Sequence, residues 1–72
     1  MLTNKLHELK RELKYSLATY ILFKNQNDSI EKYVTPNRTE EEKQLRRCKL
    51  LIVRIDLYYT HQNIENYKFS NN

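Results

Sequence analysis

The sequence contains no glycine and no tryptophan, and one residue each of proline and cysteine. Without glycine, a tight turn needing positive φ must rely on Asn or Asp. No turn pair suited to a two-residue β-hairpin occurs, so an all-α chain with few connections is the natural reading. One cysteine excludes an intramolecular disulfide and fits a reducing compartment, with Cys48 as a small core residue. Long apolar runs are also missing. The longest, Leu50 to Val53, is far too short to span a bilayer. The opening MLTNKLHELK has no uninterrupted apolar segment, so neither a signal peptide nor a membrane anchor is expected. These absences point to the cytoplasm of a bacterium or of an infected host cell. The abundance of Asn, Lys, Ile and Tyr fits an AT-rich genome, such as that of a low-GC bacterium or one of its phages.

What remains is one small domain of 72 residues with a formal charge of +4. A chain this short gains little from its own core and usually needs a staple or a partner. The stretch Thr39 to Gln62 reads as a long helix. Pro36 blocks helix just upstream, Thr39 with Glu42 fits a capping box, and Glu40, Glu41 and Glu42 put negative charge on the positive end of the dipole. Leu45, Cys48, Ile52, Ile55 and Tyr59 recur at spacings of 3 and 4 and form one stripe. Leu50, Val53, Leu57 and Ile64 form a second stripe, well over about 90° away at roughly 100° per residue. LLIVRIDLYY is rich in strand formers, but it lacks clean alternation, and periodicity and caps favour the helix.

Upstream, Leu2, Leu6, Leu9, Leu13, Leu17 and Tyr20 lie on one narrow stripe of an amphipathic helix that Thr3 or Asn4 can cap. Ile21, Leu22 and Phe23 spread off that stripe. NQND at Asn25–Asp28 is a poor helix interior, because short polar side chains compete for the backbone. The expected organisation is therefore helix 1 at about 3–24, a connection at 25–38, helix 2 at about 39–62 and a frayed tail at 63–72. Asp28 and Glu31 would cap a short middle helix within that connection. A rival reading keeps a single helix from Leu2 to Val34. Two similar helices joined by a connection favour an antiparallel hairpin, and the apolar surface left over favours dimerisation into a four-helix bundle.

No residue set converges on catalysis, and no cofactor or metal is expected. His7 and His61 do not make a ligand spacing with Cys48, although a hairpin would bring the two histidines near the same end. Glu8 and Glu12 share a face as ordinary solvated charges. Asp56, beside the main stripe, is either a register-setting partner for a cation across an interface or an edge residue reaching water. The expected partner interface is Leu50, Val53, Leu57, Tyr58 and Ile64 of helix 2 with Leu22 and Phe23 of helix 1. Tyrosines give large contact area while keeping a wet hydroxyl. Lys43, Arg46, Arg47 and Arg54 line a basic face that suits phosphate contacts, although Glu40, Glu41 and Glu42 would repel a nucleic acid backbone.

The two-helix plan and size are loosely similar to the small sporulation phosphatases that act on a phosphorylated response regulator. Their second helix carries a Ser-Gln-Glu-Leu-Asp run, of which Val53-Arg54-Ile55-Asp56 keeps little beyond the aspartate, and no activity is carried over. The expected function is a non-catalytic interaction protein, a regulator or inhibitor that binds a larger protein through helix 2. The alternative is a nucleic-acid-binding regulator using the basic face of a dimer.

Overall fold

The computed structural model describes residues 2–70, with side-chain surroundings for 4–65. It contains two helices, α1 (Leu2–Ile30) and α2 (Thr39–Ser70), of 29 and 32 residues. They pack against each other as an antiparallel hairpin, 65 × 17 × 13 Å in extent, with no strand among the described residues.

α2 begins at Thr39, as its sequence signals require, but the cap is different. Glu42 donates its backbone N–H to the Arg38 carbonyl (2.9 Å), the first bond of the helical ladder. Asn37 Oδ1 accepts from both the backbone N–H (3.1 Å) and the hydroxyl (2.7 Å) of Thr39. The Glu42 N–H that a capping box would give to the Thr39 hydroxyl oxygen goes to the Arg38 carbonyl, so the expected Thr39–Glu42 capping box does not form. An asparagine side chain bonding the backbone two residues on does that work instead.

α1 does not break at Asn25–Asp28 and there is no separate middle helix. Short polar residues disfavour a helix when their side chains lack other partners. Here Asn27 donates to Glu41 across the hairpin (3.2 Å), and Asp28 accepts from Lys24 (2.9 Å) and from Arg38 (3.0 Å). Two of these partners, Glu41 and Arg38, come from beyond α1 and Lys24 from one turn earlier in it, and together they hold the segment helical to Ile30. Tyr33 and Val34 then donate to the Ile30 carbonyl (2.9 and 3.0 Å), and the chain turns with no residue at positive φ among those described. At the other end α2 runs through the expected frayed tail to Ser70.

Two contacts set the register: Asn27 opposite Glu41, and the Lys10 ammonium 5.4 Å from the Tyr59 ring centre. The residues covered on α1 include Leu6, Leu9, Leu13, Ser16, Tyr20, Phe23 and Asn27, with Thr19 half-buried beside them. On α2 they include Glu41, Gln44, Cys48, Leu51, Ile55, Tyr58 and Gln62. Both series alternate strictly between steps of 3 and 4, the spacing of a coiled-coil seam. Their central rows are those expected, but the second row of each helix differs. α1 covers Leu9, Ser16 and Phe23, and leaves Leu17 exposed between the edge residues Lys10 and Lys24. α2 correspondingly covers Leu51 and Tyr58, and leaves Ile52 and Tyr59 exposed.

The physical reason lies on α1. Lys10 and Lys24 occupy the same row as Leu17 and must keep their ammonium groups in water. That row therefore stays at the edge and the opposite row turns inward. In an antiparallel pair each row meets its own counterpart, so α2 follows by burying Leu51 and Tyr58. Lys10 lays its charge over Tyr59 at the wet edge, a favourable cation–π placement.

Candidate interaction surface

The fully buried apolar core of the described residues comprises Leu9, Cys48 and Leu51. Ser16, 0 % exposed, sits with them, level by register with Leu51. A small residue there lets the helices approach closely, but its hydroxyl and that of Tyr58 are both buried without a hydrogen-bond partner. An orphaned buried hydroxyl costs roughly 1–3 kcal/mol. Neither Ser16 nor Leu51 belongs to the stripes seen from composition alone. The 3–4 alternation continued from Leu6, Leu9 and Leu13 reaches Ser16, and this is the signal that could have found it.

The back of α2 is the opposite case. Leu50 (60 % exposed), Val53, Leu57 (62 % exposed) and Ile64 form a ridge facing away from α1. At 1.5 Å per residue the ridge is about 21 Å long. Leu22 is exposed on α1, whereas Phe23 and Tyr58 are half-buried in the seam. The seven residues expected to share one partner surface are therefore divided: Phe23 and Tyr58 join the two helices, and the other five remain exposed. A further exposed set, Leu17, Ile21, Ile52 and Tyr59, lies along the edge where Lys10 meets Tyr59.

Charges are distributed just as unevenly. Arg38 is bonded to three carboxylates: Glu41 (2.6 Å), Asp28 (3.0 Å) and Glu31 (3.4 Å). Lys24 bonds Asp28 from the far side (2.9 Å). The Lys24 hydrogen bond, followed by that of Arg38, holds the Asp28 carboxyl below the usual carboxylate range. The Asp28 hydrogen bond likewise raises Lys24 and Arg38 above their ordinary values. This clamp closes the connection end of the hairpin, and the turn segment gave no hint of it. Among the described residues all ion pairs belong to it. Lys43, Arg46, Arg47 and Arg54 are exposed on α2 and take no part.

His7 and His61 are exposed and come level by register, but they project from the outer sides of their helices, not toward each other. Among the described residues no three His, Cys, Asp or Glu side chains group as metal ligands. Asp56 is exposed. No described helix is long and apolar enough to cross a membrane. Comparison with known proteins gives no matching family model, curated protein or solved structure.

Proposed function

We propose that this chain is a non-catalytic interaction module that completes its apolar burial against another protein, acting as a regulator or inhibitor of that protein. The observation that carries this reading is the imbalance between what the hairpin covers and what it leaves wet. The chain exposes 6169 Å², about a quarter more than the roughly 4,800 Å² expected of a folded monomer of 8.9 kDa. Its radius of gyration is 17.6 Å, against about 11 Å for a compact domain of this length. A standard interface removes about 800 Å² per partner, well within the excess.

A homodimer is part of the reading. Leu17 and Ile21 of α1 and Ile52 and Tyr59 of α2 share one edge, so two hairpins joined there would give a four-helix bundle with both helices contributing. Sedimentation at micromolar concentration tests it, with Leu17→Glu expected to shift a dimer to monomer. A stably folded wild-type monomer would remove the dimer. For the partner surface the test is Leu57→Glu, which should keep the helical circular dichroism and lose association. The nucleic-acid reading draws on the unpaired Lys43, Arg47 and Arg54, and is weakened by Glu40, Glu41 and Glu42 at the start of the same helix.

A further inference from the structure

We infer that the back of α2 takes an acidic amphipathic helix from a partner protein. This rests on the interaction-module reading and specifies the partner's chemistry. Leu50, Val53, Leu57 and Ile64 form a ridge one side chain wide along one helix face. It matches the stripe of a single helix of about 14–15 residues, which would span its roughly 21 Å.

The charge beside the ridge is one-sided. At about 100° per residue, Lys43, Arg47 and Arg54 fall on the same flank, with Arg46 at the head of the ridge itself. All four are exposed, and none joins an ion pair among the described residues. Glu8 and Glu12 of α1 lie toward that side of the hairpin, but neither comes within ion-pair distance of these cations. The opposite flank carries Lys49 and Asp56, which offset each other, and Glu42 near the head of the ridge. Glu65 shares the cationic flank farther along the helix than Arg54, and Glu40 borders it at the helix start, so the flank is net positive between Lys43 and Arg54 while the other side is not. An occupant with a carboxylate-lined edge therefore meets an excess of positive charge along one side only.

That asymmetry also separates the occupants. A second copy docked ridge to ridge in antiparallel fashion would set the Lys43, Arg47 and Arg54 flank along its own counterpart, and like charges at an interface oppose association. A membrane-surface helix carries cations along both borders of a broad apolar face with aromatic anchors, whereas this ridge has one cationic border and no aromatic residue. Duplex DNA would use the cations and leave the ridge wet.

The test is selection from a displayed library of amphipathic helical peptides of about 14–15 residues whose flanking positions vary among Glu, Gln and Lys. Wild-type protein should enrich Glu over Lys on one flank by about tenfold or more. The Arg47→Glu/Arg54→Glu variant, which disturbs no intramolecular ion pair, should reverse the preference to Lys. Leu57→Glu should abolish enrichment while circular dichroism stays helical. Enrichment that is lost with Leu57→Glu but shows no charge preference would overturn the acidic partner and leave the interaction module standing. Absence of enrichment by both wild type and Leu57→Glu would overturn both. Tight binding of a DNA duplex or of anionic vesicles, sensitive to Arg47→Glu/Arg54→Glu but indifferent to Leu57→Glu, would replace the peptide with a phosphate-bearing surface.

Discussion

The two sides of α2 carry similar residues and meet opposite fates. Leu51 is 3 % exposed, while Leu50, its neighbour in sequence, is 60 % exposed. A single step of about 100° around the helix separates them. Burial in this hairpin is thus decided by angular position and not by hydrophobicity. Both sides are apolar, but only one faces a helix of the same chain. In so small a molecule the second side is surplus to folding, which is why it informs the functional reading.

Substitutions can sharpen that contrast. The largest effect is expected at Leu51. Leu51→Ala should cost roughly 2–5 kcal/mol, much of the total stability of a chain this size at about 0.05–0.15 kcal/mol per residue. Thermal or urea unfolding followed by circular dichroism would show it, and a cost below about 0.5 kcal/mol would mean the seam lies elsewhere. Leu57→Ala should change monomer stability by no more than about 0.5 kcal/mol, with its effect appearing in association. If Leu57→Ala destabilises the isolated hairpin as much as Leu51→Ala does, the ridge is a second core.

A smaller effect, of opposite sign, is expected at the seam's polar exception. Ser16→Ala removes a buried hydroxyl without a partner and should stabilise by about 1 kcal/mol. Ser16→Leu should destabilise by about 1–3 kcal/mol through overpacking, because the helices approach over a small residue. The least effect belongs to the exposed clamp. The Asp28 carboxyl is held low, so its contribution is present above the ordinary carboxylate pKa of about 3.9. It disappears as pH falls through the lower folded-state value. Arg38→Ala should flatten that acid dependence. An unchanged unfolding profile between pH 2 and 5, roughly the range in which carboxylates titrate, would show the clamp to be energetically silent.

Much of this was legible in the residues. The helical hairpin, the start of α2 at Thr39 and the exposed Leu50, Val53 and Leu57 all follow from periodicity, Pro36 and the acidic first turn. The choice between Leu51 and Ile52 was not legible from α2, because either continues a 3–4 pattern through Cys48 and Ile55. That choice is made on the other helix, by Lys10 and Lys24 claiming the wet edge. Asn25–Asp28 misled for a related reason. Its residues disfavour a helix in isolation, and the partners that reverse this preference, Arg38 and Glu41, are distant in sequence from the short window in which propensity operates.

The Arg38 clamp also bears on the route by which the chain reaches this shape. It sits where the loop to be closed is shortest, so its partners meet at the lowest entropic cost. Assembly should start at this bend and zip toward the free ends, one heptad layer after another. Because most contacts are local, the process belongs with the fast-folding helical proteins, on a microsecond-to-millisecond scale. Removing Arg38 should therefore slow folding more than it speeds unfolding.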